Sequence, residues 1–247
     1  IEEGLSPNSS FMKNNNEYVD TYRGTLLMER RDVTIPGRGL DLTLTTAFNS
    51  DGYFWNYLDS PTNRYKWGWS SEVEHNGAYK IADGWRFKLP SISSMEISEH
   101  VMGYMYTTEN GTSYDLTSAI LLTIDGYVDV IRPVDGYIIY NESFTSHHDY
   151  DEYKRVIEIP REKIVIECDV KNYPYGEENE IKYIKAYYPD GKVLGFHDLQ
   201  GGTDKDGKVA VMFDSPGKNN LTYHYDSRGR LEQIKDNLGR SLEIDYF

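Results

Sequence analysis

The chain has 247 residues and a formal net charge of −14, with 40 acidic side chains against 26 Lys and Arg. This charge repels nucleic-acid phosphates and anionic lipid, so we expect neither nucleic acid nor a membrane surface as a partner. Hydrophobic residues reach only 38 %, but the aromatic share of 14 %, including 22 Tyr, argues against disorder and predicts a folded, β-rich chain.

Residues 1–20 are predicted to be a flexible lead-in, because Pro, Ser and Asn are concentrated between Ser6 and Asn16. The sequence starts without Met or a signal-peptide pattern, so we expect a piece excised from a longer protein. No apolar run approaches the roughly 18 residues of a membrane span, and none is expected.

Strand-like runs follow one another from residue 25 onward, and eight Asn-Gly or Asp-Gly dipeptides lie between or beside them. These dipeptides accept the positive φ angles of tight hairpin turns. The sequence therefore predicts an all-β fold of antiparallel meander or sandwich-like sheets, without a helix. Predicted strands include Thr25–Glu29, Leu40–Phe48, Trp85–Leu89, Ile120–Ile124, Ile164–Val170 and Leu221–Tyr225, and predicted loops are Tyr53–Arg64 and Asn172–Asn179.

The single cysteine, Cys168, lies in the predicted strand Ile164–Val170. Alternation places it on the same face as Ile164 and Ile166, which predicts a small buried side chain. One thiol cannot form an internal disulfide, so a disulfide scaffold is excluded.

The C-terminal stretch contains an internal repeat. The motif Asp226-x-x-Gly229-Arg230 recurs as Asp236-x-x-Gly239-Arg240, and each Asp/Gly pair predicts a tight turn between alternating strands. One strand–turn–strand–turn unit cannot bury its apolar face alone, which is typical of repeat proteins.

This motif resembles the YD repeat of the RHS family, whose signature is Tyr-Asp-x-x-Gly-Arg-Leu followed by a second Asp-x-x-Gly and a closing Tyr. The matching residues are Tyr225, Asp226, Gly229, Arg230, Leu231, Asp236, Gly239, Arg240 and Tyr246.

An earlier stretch, Arg31–Leu42, contains Pro-Gly-Arg-Gly-Leu and is similar to the leader of RHS/YD-repeat proteins, as is Gly84-Trp85-Arg86-Phe87. The chain departs from that pattern with Thr46 in place of Arg and Phe48 in place of Tyr. The resemblance implies a lead-in at 1–20, a β-rich leader domain at 21–216, and a YD-repeat unit at 217–247 that begins a longer array.

RHS/YD-repeat proteins build a long β-sheet that spirals into a hollow shell, which in many bacterial members encloses a C-terminal toxin domain. The resemblance implies a non-catalytic structural segment of an exported bacterial protein, secreted or at the cell surface. Its expected partners are further YD repeats and a toxin domain of the same parent chain, and no cofactor is expected.

Other kinds of site find little support. His147-His148-Asp149 is the densest cluster of ligand-type residues, but neighbouring side chains of a strand point to opposite faces, so no metal site is expected. The Asp-rich stretch 202–207 lacks ligands at the first and last positions of a calcium loop. No catalytic motif is present, and no catalytic residue is predicted.

One alternative function stays open. Trp67 and Trp69 are expected to share one strand face and could stack on sugar rings. The chain would then be a β-module that binds cell-wall or host carbohydrate.

Overall fold

The computed structural model describes residues 10–11, 17–20, 25–37, 40–50, 56–59, 64–67, 79–82, 84–98, 101–109, 113–121, 132–134, 136–172, 180–199, 206–215 and 217–246. These ranges form the following elements: β1 (Ser10–Phe11), β2 (Glu17–Asp20), β3 (Thr25–Ile35), β4 (Leu42–Asn49), β5 (Asn56–Asp59), β6 (Arg64–Trp67), β7 (Lys80–Ala82), β8 (Trp85–Phe87), β9 (Ser91–Ser98), β10 (Val101–Thr107), β11 (Ser113–Asp115), α1 (Thr117–Leu121), β12 (Arg132–Val134), β13 (Tyr137–Ser146), β14 (Asp151–Ile159), β15 (Ile164–Asn172), β16 (Glu180–Tyr187), β17 (Val193–Phe196), β18 (Val209–Phe213), β19 (Asn220–Tyr225), β20 (Leu231–Asp236) and β21 (Ser241–Glu243).

The prediction of an all-β fold with antiparallel sheets is confirmed. The largest sheet has ten strands, β12 to β21, arranged in chain order, so that each strand pairs with the next through a hairpin. A six-stranded sheet has the order β1-β2-β3-β4-β8-β7, and smaller sheets are formed by β11-β10-β9 and β5-β6. The ten-stranded sheet runs without a break through the pairing of β18 with β19, which links the expected leader to the repeat.

Two local predictions are wrong. The predicted strand Ile120–Ile124 begins inside α1, a short helix whose start is fixed when the Asp115 carboxylate accepts a hydrogen bond from the Thr117 N–H at 2.9 Å. The apolar run there is buried as a helix, a case that periodicity alone does not separate from a strand. The predicted loop Tyr53–Arg64 contains β5, which pairs with β6.

The core lies on one face of the ten-stranded sheet. Alternating residues of β14 to β20 are buried there, and they pack with buried residues of β4, β8, β9, β10 and α1. The prediction for Cys168 is confirmed, since its side chain is 1 % exposed and burial raises the pKa of its thiol to about 12. Within the described ranges, no helix is long and apolar enough to cross a membrane.

Candidate functional site

The first signature turn joins β19 to β20 and is organised by the carboxylate of Asp226. Its Oδ1 accepts hydrogen bonds from the N–H groups of Arg228 at 2.9 Å and Arg230 at 2.8 Å, and its Oδ2 accepts one from Arg230 Nε at 2.8 Å. Gly229 closes the turn with a φ of 69°, a conformation that glycine adopts at little cost. One aspartate thus satisfies the turn backbone and holds the arginine beside it.

The second turn, between β20 and β21, repeats this arrangement around Asp236. Its Oδ1 accepts from the N–H groups of Leu238 at 3.0 Å and Arg240 at 2.8 Å, and its Oδ2 accepts from Arg240 Nε at 2.6 Å. Gly239 has a φ of 89°. The sequence repeat is therefore a repeat of one hydrogen-bonded turn.

These contacts control the charge of both aspartates. Partial desolvation alone would raise their pKa values, but hydrogen bonds from the turn N–H groups and the arginine side chains outweigh it and lower them. Both carboxylates are held in the ionised form that the turns require.

Two further turns share this arrangement, although the sequence did not identify them as copies of the signature; one of them contains Asp190-Gly191, which was predicted as a hairpin turn. In the turn after β18, Asp214 Oδ1 accepts hydrogen bonds from the N–H groups of Lys218 and Asn219, and Gly217 has a φ of 66°. This turn is one residue longer than the signature turn. In the turn after β16, Tyr188 occupies the position of the aspartate, Gly191 that of the glycine and Lys192 that of the arginine. The likeness of this second turn to the signature could have been found from the spacing of Tyr187-Tyr188-x-x-Gly191-Lys192-Val193, which matches that of Tyr225 to Leu231.

The signature tyrosines fix neighbouring strands. The hydroxyl of Tyr225 donates to the Val209 carbonyl at 2.7 Å, and that of Tyr246 donates to the Leu231 carbonyl at 2.8 Å. The Arg230 guanidinium lies 4.4 Å from the centre of the Tyr246 ring, which places a cation on its π face. Leu231 is buried, at 1 % exposed. Each signature residue therefore has a structural role within the sheet.

The N-terminal region, defined here as the described residues between positions 25 and 121, contacts this sheet at several points. Tyr79 accepts a hydrogen bond from the Val209 N–H at 2.8 Å, and the Ile92 N–H donates to the Gly207 carbonyl at 2.9 Å. Further along the sheet, the fully buried Arg155 donates to the Ala119 carbonyl of α1 at 3.2 Å. Because these residues lie far apart along the sheet, the N-terminal region covers much of its inner face.

Arg240 makes a further contact to this region through Nη1, which donates to the Pro36 carbonyl at 2.5 Å. Gly37 permits the approach, since a Cβ there would lie 2.8 Å from Arg240 Nη2 and 1.9 Å from the Leu40 carbonyl oxygen. The Pro-Gly stretch that resembles a family leader and the second signature turn are thus in direct contact.

The other sites considered from the sequence have different outcomes. Trp67 ends β6 but its side chain lies outside the described residues, as does Trp69 entirely, so glycan binding stays a prediction. The His147 ring stacks on Tyr150 at 4.4 Å, and His148 Nδ1 lies 2.7 Å from the Asp149 carboxylate. Among the residues that the structure describes, no group of three or more His, Cys, Asp or Glu is placed to hold a metal ion.

No protein-family model matches the chain, and comparison with curated proteins gives no significant match. The relation to RHS/YD-repeat proteins accordingly stays a proposal.

Proposed function

We propose that this chain is a non-catalytic structural segment of an RHS/YD-repeat protein, in which it forms part of a β-shell wall. The observation that carries the proposal is the recurrence of one hydrogen-bonded turn along a single antiparallel sheet whose strands follow chain order. Such a sheet grows by adding equivalent hairpins, and each new hairpin pairs its backbone with the edge strand before it.

The two sides of the sheet support this role. The inner face is mostly apolar, with Arg155 buried among its aliphatic and aromatic side chains, and is covered by the N-terminal region, whereas the outer face of β13 to β15 carries charged side chains. There Lys154 lies 2.8 Å from Glu142 and 2.7 Å from Glu167, across neighbouring strands. A sheet with an apolar lining and a charged exterior suits the wall of a container.

In this proposal the parent protein is exported by a bacterium, and further repeats continue the wall around a C-terminal toxin domain. The N-terminal region then closes the beginning of the wall, because it covers apolar surface that a growing sheet leaves exposed. The side chains described above bind, pack and hold the backbone, and no step of chemistry is assigned to them.

Protease protection of the full parent polypeptide tests this function. The enclosed domain should resist digestion while the wall is intact and become sensitive when the wall is opened by guanidinium at a concentration that the isolated domain itself tolerates. A domain digested at the same rate with and without the wall, or a parent protein without further repeats, would contradict the proposal.

A further inference from the structure

We propose that the turn between β16 and β17, residues 188–192, is a repeat turn modified to dock β10 of the N-terminal region. In the signature turn, the aspartate and the arginine bind each other. Here the residues at the same two positions contact the N-terminal region instead, one on β10 and one just after it. The inference goes beyond the proposed function, since it concerns how the N-terminal region finds its place on the sheet and would hold for any protein that contains these turns.

The backbone shows that this is the same turn. The Tyr188 N–H donates to the Lys192 carbonyl and the Gly191 N–H to the Tyr188 carbonyl, both at 2.9 Å. The corresponding distances around Asp226 are 2.9 and 3.0 Å. Gly191 has a φ of 84°, in the same left-handed region as Gly229 and Gly239.

The carboxylate that organises the turn comes from another position. Asp190 Oδ1 accepts the hydrogen bond from the Lys192 N–H at 3.0 Å, which is the contact that Asp226 makes to the Arg230 N–H in the signature turn. Since Asp190 provides this acceptor, no carboxylate is needed at the position that Asp226 has in the signature turn, and Tyr188 occupies that position here.

The side chain of Tyr188 contacts β10. The hydroxyl of Tyr188 lies 2.6 Å from that of Tyr106, whose side chain is fully buried and packs edge-to-face on Phe196 with ring centres 6.4 Å apart. Burial raises the pKa values of both phenols, so both stay protonated and one donates to the other. An aspartate, which is shorter and charged, could not replace this contact.

The lysine has changed partners in the same way. In the signature turn, Arg230 pairs with its own aspartate, with Nη2 2.7 Å from Asp226 Oδ2. Lys192 has no carboxylate at the equivalent position, and its Nζ lies instead 4.3 Å from the centre of the Tyr188 ring and 3.5 Å from Oε2 of Glu109, which follows β10. The N-terminal region therefore supplies both the hydroxyl and the carboxylate that complete this turn.

Restoring the signature tests the inference. In the full chain, Tyr188→Asp with Lys192→Arg should keep the turn and the sheet but loosen β10, so that its amides exchange with solvent about tenfold faster, as expected for losing one or two modest hydrogen bonds. The matched control is Asp226→Asn with Arg230→Lys, which alters the equivalent positions of the turn between β19 and β20, where the two side chains bind each other. Unchanged exchange in β10, or equal loosening in the control, would overturn the proposal.

A second measurement applies if the restored variant does not fold. Tyr188→Phe and Tyr106→Phe keep both rings and remove only the hydroxyls, alone and together. We expect the second substitution to have little further effect on β10 exchange once the first is present, because the hydroxyl pair is already broken. Additive effects would show that the two hydroxyls act independently and would overturn the proposal.

Discussion

The hydroxyl of Tyr79 lies 3.4 Å from the hydroxyl of Tyr225, although 146 positions separate the two residues in the sequence. Both are bound to Val209, since Tyr79 accepts from its N–H and Tyr225 donates to its carbonyl. Tyr79, a residue of the N-terminal region, thus binds a backbone N–H at the start of β18 and also contacts Tyr225, the tyrosine that begins the signature. This arrangement makes the N-terminal region part of the same folding unit as the repeat.

Removing the Tyr79 hydroxyl should destabilise this unit. Tyr79→Phe leaves the buried Val209 N–H without its acceptor, and we expect the free energy of unfolding to fall by about 1–3 kcal/mol. Urea unfolding followed by tryptophan fluorescence measures the change. Tyr183→Phe, in a ring that is 68 % exposed, is the control and should have almost no effect. An equal loss in both variants would contradict the role of Tyr79.

The two signature aspartates should make stability depend on acid pH. Their pKa values are lower in the folded chain than the roughly 3.9 of an unfolded aspartate, so their stabilisation is complete above about pH 4 and is lost as the pH falls through the folded-state values. Asp226→Asn should lower stability at neutral pH and flatten the loss below pH 4, as measured by urea unfolding across pH. Asp245→Asn, at an exposed position outside the turns, should behave as the unmodified chain. Asp236 keeps part of the acid dependence in this variant, so an acid limb as steep as that of the unmodified chain would refute this account.

Two glycines with similar backbone angles should respond differently to alanine. Gly207 has a φ of 67°, and an added Cβ would lie 1.6 Å from the Ile92 carbonyl oxygen. Gly207→Ala must therefore push the start of β9 away from the segment that leads into β18 of the ten-stranded sheet. Gly239 has a φ of 89° and open space around it, so Gly239→Ala should cost only about 1 kcal/mol of backbone strain. Thermal unfolding should show a much larger loss for Gly207→Ala, and similar losses in the two variants would contradict the close packing of β9.

A gain of stability is expected at Tyr183, which has a φ of 52° within β16. A bulge opposite Cys168 turns this side chain outward and Ile184 inward, and the Asp198 carboxylate accepts the Tyr183 N–H at 3.1 Å. Asparagine adopts this backbone conformation more readily, so Tyr183→Asn should raise the free energy of unfolding by about 0.5–1 kcal/mol. Tyr183→Val, which is β-branched, should lower it, and urea unfolding distinguishes the two. A loss in Tyr183→Asn would show that the ring itself stabilises the sheet.

The parts of this fold that depend on local sequence could be predicted, and the parts that depend on distant contacts could not. Alternation placed Cys168 correctly on the buried face, and Asp-x-x-Gly spacing located the turns at Asp226 and Asp236. The hairpin turn at Asp190-Gly191 was predicted, but its likeness to the signature turn was missed because its organising carboxylate comes from Asp190 and its signature side chains bind residues some 80 positions away, with separations of 82 for Tyr106 and 83 for Glu109. The helix α1 was missed for a similar reason, since Ala119 and Ile120 are buried by tertiary packing that a short apolar run does not reveal.

Electron cryo-microscopy of the parent polypeptide tests the proposed wall most directly. The account predicts that the strand after β21 pairs with it, that turns built on Asp-x-x-Gly-Arg recur along the growing sheet, and that the sheet curves around an enclosed space. A sheet that ends at β21, with its inner face covered only by residues of this chain, would contradict it.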